Sequence, residues 1–206
     1  MCEMKICYIV GASPAPLPPL TVREGDLLIA ADGGYEACRA AGLVPHMLIG
    51  DMDSLDGVPS LPSVKRLPVR KDVTDLFAAI LEGMERGYRT FHLYGACGGR
   101  PDHTYANYQH LYYLAKNGAR GILFDGAFRV TCIADDSFTL PIPRKRTFSV
   151  FAIGERARGV SISGAEYPLQ KGTLDPHFPL GVSNKTENDH ATVSCDDGAL
   201  LIFWEA

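Results

Sequence analysis

The sequence predicts a mixed α/β chain: an N-terminal, mainly parallel sheet with flanking helices, followed by a small C-terminal all-β sandwich. Three observations carry this. Short apolar runs alternate with amphipathic segments up to about residue 126, the alternation then stops, and the remainder is a series of β-branched or alternating runs separated by Gly, Pro, Asn and Asp clusters. The change of rhythm, flanked by Pro141 and Pro143, sets the expected domains at residues 1–130 and 131–206.

In the first domain, strand-like runs occur at residues 5–11 (KICYIVG), 26–32 (DLLIAAD), 46–51 (HMLIGD), 64–69 (VKRLPV), 91–96 (FHLYGA) and 121–126 (GILFDG). Helices are expected between them. Residues 34–41 form one, closed by Gly42. Residues 74–86 form a stronger one, with Leu76, Phe77, Ile80, Leu81 and Met84 at helical spacing and Gly87 as its stop. A third spans about 102–116 and ends at Asn117-Gly118. Strand, helix, strand in repetition is the pattern of a Rossmann-like parallel sheet covered by helices. In the second domain, residues 128–135, 136–141, 147–153, 159–164, 190–196 and 199–205 read as strands. Trp204 lies in the last of these and reads as a core residue.

Composition narrows the partners. With 206 residues, a formal net charge of −4 and no Lys/Arg-rich block, the chain lacks the basic footprint of a nucleic-acid or anionic-membrane binder, and small-molecule partners are expected. No apolar run is long enough to span a bilayer and the first residues do not read as a signal peptide, so a cytoplasmic location is expected. Six scattered cysteines without a CxxC pair read as reduced core residues. His46, His92, His110, His177 and His190 show no metal-ligand spacing.

Ligands of a parallel α/β sheet bind at the carboxyl ends of its strands. Four polar clusters fall at such ends: Asp32-Gly33-Gly34, Gly50-Asp51-Met52-Asp53-Ser54, Lys71-Asp72-Val73-Thr74-Asp75, and the run from Gly95 to His103. Singly, each has a structural reading. Asp51 and Asp53 suit a turn, and Asp72 and Asp75 suit a helix N-terminus that Thr74 caps. Together, two acidic clusters at neighbouring strand ends repel unless a cation intervenes, and carboxylate oxygens suit Mg2+, which retains positions for substrate phosphates. The glycine-rich turn at Gly98-Gly99 places backbone N–H groups before a helix, and Arg100 adds a planar fork of donors for an anion. No GxxxxGK[ST] loop occurs, so a nucleotide would be held by another route. Asp56 reads as a turn residue.

With GDMDS, KDVTD and GGRPDHTYAN in this order, the chain resembles the bacterial thiamine pyrophosphokinase family, and residues 149–153, 163–169 and 180–184 resemble that family's thiamine-binding domain. The resemblance implies an ATP- and magnesium-binding catalytic domain, a thiamine-binding β-sandwich, and a homodimer with active sites near the subunit interface. It implies transfer of a pyrophosphoryl group from ATP to the thiamine hydroxyl. Asp51, Asp53 and Asp75 are the implied metal ligands. Asp32, Gly33, Lys71, Gly98, Gly99, Arg100 and Asn107 are the implied ATP site, with Arg100, Asp102, His103 and Asp72 near the reacting groups and Ser183 and Asn184 on the thiamine side. Either Asp72 or Asp102 is available to accept the alcohol proton. Two rivals stand beside this reading. A phosphatase of the haloacid dehalogenase type would use Asp51 as nucleophile and Asp53 as acid/base, and a non-catalytic sensor would bind thiamine or a nucleotide without turnover.

Overall fold

The computed structural model describes residues 5–52, 61–68 and 72–206. The chain is mixed α/β, with a large sheet and a separate four-stranded antiparallel sheet. It divides into two compact units, one of residues 1–110 and 123–125, the other of residues 111–122 and 126–206.

In the first unit, β1 (Ile6–Val10), β2 (Leu27–Ala31), β3 (Met47–Gly50), β4 (Val64–Arg66) and β5 (Thr90–Tyr94) run in the order β5-β1-β2-β3-β4, and every neighbouring pair is parallel. β1, β2 and β3 are buried almost throughout, as continuous apolar runs in a parallel sheet should be. α1 (Gly34–Ala40) follows β2, and α2 (Asp75–Glu85) lies between β4 and β5. Thr74 caps α2, its hydroxyl accepting from the Phe77 N–H at 3.1 Å, as the sequence anticipates. The buried residues of α2 are Leu76, Ala79, Ile80, Glu82 and Gly83, while Phe77, Leu81 and Met84 of its apolar stripe are half-buried. α3 (Pro101–Lys116) opens on proline, whose missing N–H costs nothing in a first turn.

The second unit contains β7 (Phe128–Ala134), β8 (Ser137–Leu140), β9 (Thr147–Ala152), β10 (Ala157–Ser163), β11 (Leu169–Leu174), β12 (Gly181–Lys185), β13 (Ala191–Ser194) and β14 (Ala199–Glu205). These form two antiparallel layers, β12-β9-β14-β7 and β11-β10-β13-β8. One apolar core joins the layers, with Phe148, Val150, Leu200, Ile202 and Trp204 from the first and Leu140, Val160, Ile162 and Val193 from the second. Trp204 is a core residue, packed near Phe138 at 5.5 Å between ring centroids. β6 (Arg120–Asp125) and α3 each contribute residues to both units.

β11 and β12 are strands that the sequence pattern does not reveal. Each lies at the outer edge of its layer, with mostly exposed or half-buried residues, so neither carries an apolar run. Both ladders also shift register, which breaks any alternation. All five described cysteines are free and buried, and burial pushes the Cys7 and Cys132 thiols up to about 12. Cys2 lies outside the described residues.

Candidate active site

The first unit has a cleft of about 420 Å³ at the carboxyl ends of its parallel strands. Its walls are the turn after β1 (Gly11, Ala12, Ser13), the end of β2 (Ala31, Asp32), the start of α2 (Thr74, Asp75, Leu76), the loop after β5 (Gly95, Ala96, Cys97, Gly99, Arg100) and one face of α3 (His103, Thr104, Asn107).

Glycine lets these loops approach. Gly95 has φ +60, and a Cβ there would strike the Gly11 carbonyl, while a Cβ on Gly34 would strike the Val10 carbonyl. Backbone hydrogen bonds fasten the contact: Gly11 N–H donates to the Tyr94 carbonyl at 2.8 Å and Ser13 N–H to the Gly95 carbonyl at 3.0 Å. Asp32 sits in the left-handed region at φ 46, a conformation a short polar residue tolerates, and its N–H donates to the Ile49 carbonyl at 2.8 Å. This bond ties the β2 end to the end of β3, which leads into Asp51.

Asp32 and Asp75 line the cleft, and one carboxylate oxygen of each is sealed from solvent. Oxygen donors of that kind suit a hard divalent cation. Among the described residues no group of three His, Cys, Asp or Glu side chains is gathered for a metal. Asp53 lies outside the described residues, and Asp51 is described but does not line the cleft.

Arg100 lies at the mouth of the cleft and holds Asp102 in a two-pronged ion pair, Nε to Oδ1 at 3.1 Å and Nη2 to Oδ2 at 2.6 Å. Asp102 also accepts from the His103 N–H at 3.0 Å. The guanidinium, followed by that backbone bond, brings the Asp102 carboxyl down to about 2, so it is a poor proton acceptor. The pair occupies Nε and Nη2, and Nη1 takes no part in it.

Asn107 is buried, and its amide is used within the protein. Nδ2 donates to the Ala96 carbonyl at 2.6 Å, and Oδ1 lies 3.1 Å from His110 Nδ1. Since Nδ2 is the donor to a carbonyl, Oδ1 must accept, which assigns the proton to His110 Nδ1. His110 stacks on Phe77 of α2 at 4.7 Å, and burial lowers its pKa to about 4. Asn107 therefore fixes the β5 loop to α3, and through His110 it reaches α2.

Of the residues singled out from the sequence, Asp32, Asp75, Gly99, Arg100, His103 and Asn107 line one cleft. Asp51, Gly33, Gly98, Asp72 and Asp102 are not among its lining residues. Lys71 lies outside the described residues. The sequence gives Ser13 no site role, and Cys97 and Thr104 enter only as members of the Gly95–His103 run and the GGRPDHTYAN motif. Gly11-Ala12-Ser13 follows the first strand, and the strand-end rule that selected the other clusters applies equally to it.

In the second unit, Asn184 is buried and clamps Tyr167: Nδ2 donates to the Tyr167 carbonyl at 2.8 Å, and Oδ1 accepts the Tyr167 N–H at 3.1 Å and the Lys185 N–H at 2.9 Å. Ser183 is exposed at φ 60, and its N–H donates to Ser149 Oγ at 3.0 Å. The clamp leaves the Tyr167 ring exposed.

A cleft at parallel strand ends that combines carboxylates, tight glycine turns and an arginine fork, in a chain that also carries two antiparallel β layers, suits an α/β enzyme of phosphoryl-group transfer. Residues 20–123 match the family description "Thiamin pyrophosphokinase, catalytic domain", and residues 137–200 match "Thiamin pyrophosphokinase, vitamin B1 binding domain". The chain belongs to the thiamin pyrophosphokinase family. It is 27% identical over 210 residues to thiamine pyrophosphokinase of Bacillus subtilis, covering 97% of this chain and 98% of that one. The crystal structure of the Bacillus subtilis enzyme superposes with a TM-score of 0.87 at 26% identity, covering 98% of this chain and 99% of that chain. The thiamin pyrophosphokinase structure from Geobacillus thermodenitrificans gives 0.84 at 26% identity, covering 98% and 97%. Thiamin pyrophosphokinase from Candida albicans shares the fold at 12% identity, with a TM-score of 0.75 over 99% of this chain and 90% of that chain. Neither the haloacid-dehalogenase phosphatase nor the non-catalytic sensor is favoured, because the family match spans both segments of the chain.

Proposed function

We propose that this protein transfers a pyrophosphoryl group from ATP to the hydroxyl of thiamine, giving thiamine diphosphate and AMP. The observation that carries this reading is the convergence of Asp32, Asp75 and Arg100 on one cleft, in a chain that matches both family descriptions. Residues 1–130, a Rossmann-like catalytic domain, hold ATP, and residues 131–206 hold thiamine.

Attack of the alcohol on the β-phosphorus spreads negative charge over phosphoryl oxygens and the departing AMP, so positioning and charge stabilisation dominate over base strength. Arg100 and Lys71 supply cationic donors to those oxygens. Asp102 serves through Arg100, holding the guanidinium plane in place. Asp72 and His103 act at the cleft rim, and Asp102, committed to its arginine, is not the proton acceptor. Asp32, Gly33, Gly98 and Gly99 shape the nucleotide cradle, and Asn107 holds the β5 loop against it. Asp51, Asp53 and Asp75 would hold Mg2+, which supplies charge neutralisation and a template for the phosphates. Ser183, with Asn184 behind it, presents the thiamine side. Exposed Tyr167, Phe178, Leu180 and Val182 support a homodimer through the second unit. The acidic net charge and the absence, among the described residues, of a helix long and apolar enough to cross a membrane support action on small molecules in the cytoplasm.

The experiment is direct. Incubation with ATP, Mg2+ and thiamine should yield thiamine diphosphate and AMP by mass, with Asp53→Asn nearly abolishing AMP formation while the thermal midpoint holds. Wild-type turnover by that variant at saturating Mg2+ would remove the metal role, and ADP in place of AMP would overturn the reaction.

A further inference from the structure

A second pocket of about 350 Å³ is lined by Lys5, Arg86, Gly87, Tyr88, Arg89 and Thr90. It lies at the opposite edge of the parallel sheet from the cleft. Lys5 immediately precedes β1, Thr90 opens β5, and Ile6 and Thr90 are register partners at the amino ends of those strands. The cleft residues Gly11 and Gly95 follow the carboxyl ends of the same two strands.

Three cationic side chains face this pocket. A helix C-terminus draws cations to its unsatisfied carbonyls, and this accounts for part of the set: Arg89 Nη1 donates to the Met84 carbonyl at 3.1 Å and the Tyr88 carbonyl at 2.8 Å. Arg86 Nε donates to Glu82 Oε1 at 2.8 Å. Glu82 is already shared, because Lys65 Nζ donates to its other oxygen at 2.7 Å, so one carboxylate serves two cations. The hydrogen bond from Lys65, then that from Arg86, holds the Glu82 carboxyl below its ordinary range.

The dipole does not account for Lys5, which belongs to another element. Its stem crosses Gly25, where a Cβ would meet Lys5 Cε at 3.3 Å. Tyr88 Oη donates to the Gly25 carbonyl at 2.9 Å, so one turn steers both the lysine and the tyrosine wall to the same pocket. The nearby carboxylate of Asp26 is occupied with the N–H groups of Ile6 and Arg23 at 2.9 and 3.0 Å. The described lining of this concave surface therefore carries three cations, Lys5, Arg86 and Arg89, and no carboxylate.

We propose that Lys5, Arg86 and Arg89 form a second anion site, which takes the phosphate or diphosphate group of a small ligand at the sheet edge opposite the cleft. Long cations converge on a small concavity at a cost in mutual repulsion, which a bound phosphate relieves through charge-assisted hydrogen bonds. The site is independent of the reaction proposed for the cleft.

Isothermal titration of the whole protein with inorganic pyrophosphate tests it, carried out with Mg2+ and a saturating non-hydrolysable ATP analogue so that the cleft is occupied. Parallel titrations with inorganic phosphate and with AMP separate a free anion from an organic phosphate as its source. Lys5→Gln with Arg89→Gln should weaken pyrophosphate binding roughly tenfold or more, whereas Lys5→Arg, which keeps the charge, should bind as the wild type does. The affinity should fall as salt rises. Turnover by the Lys5→Gln variant should remain at the wild-type level, which separates this site from the cleft. Equal affinity in the wild type and a folded double variant, or no binding to the wild type at millimolar pyrophosphate, would overturn the proposal. A double variant that fails to fold leaves the decision to Lys5→Gln alone, which touches no hydrogen-bonded helix cap.

Discussion

Asn107 illustrates how a residue in the cleft wall does its work indirectly. Both ends of its amide are engaged, by the Ala96 carbonyl and by His110 Nδ1. Asn107→Leu keeps the branched shape and leaves a buried carbonyl and a buried ring nitrogen without partners. Its expected cost is about 2–4 kcal/mol, read by urea unfolding, together with a raised KM for ATP as the β5 loop loosens. A loss below about 0.5 kcal/mol would mean that water replaces the amide. Asp102 is the converse case, exposed and paired, among the described residues, with Arg100 and the His103 N–H. Asp102→Asn should leave the thermal midpoint close to wild type and raise the KM for ATP, because the guanidinium loses its orienting partner. A kcat that falls by orders of magnitude with KM unchanged would instead make Asp102 a participant in the chemistry.

At the level of elements, the cleft depends on how closely three loops meet. Gly34 opens α1 with no space for a Cβ against the Val10 carbonyl. Gly34→Ala should cost about 3 kcal/mol or more, through displacement of backbone, and show as a lower melting temperature or loss of soluble protein. Thr74 has a smaller, local role. Removal of its cap in Thr74→Ala should destabilise by about 1 kcal/mol in chemical unfolding, and it frays the turn that carries Asp75 into the cleft. The helices and buried strands were legible because their apolar residues recur at 3.6 spacing or run continuously. β11 and β12 were not, since an edge strand with few inward side chains and a shifted register leaves no such pattern.

Across the whole molecule, pH couples to stability through His110. Burial lowers its folded pKa to about 4 from an ordinary 6.5, so the unfolded chain takes up a proton first as pH falls. The contribution is fully present above pH 6.5 and is lost progressively down to pH 4, with a span of at most about 3 kcal/mol. His110→Gln, which lacks the titrating ring, should flatten the stability curve over that window. Parallel curves for the variant and wild type would show that another group carries the slope.

The amino-acid sequence by itself determined the parallel α/β segment, the change to β structure after Gly126, the caps of its helices and the four polar strand ends. These follow from periodicity and local backbone chemistry, which neighbouring residues set among themselves. Only the tertiary structure decided which polar residues share a cleft and which are spent on the scaffold. Asp32, Asp75 and Arg100 line one cleft because distant chain segments come together, while Asn107 and Asn184 spend their amides on backbone groups. A hydrogen-bonding partner at long range leaves no trace in local spacing. For the same reason, Lys5 and Arg89, 84 positions apart, come to face one pocket only in the folded chain.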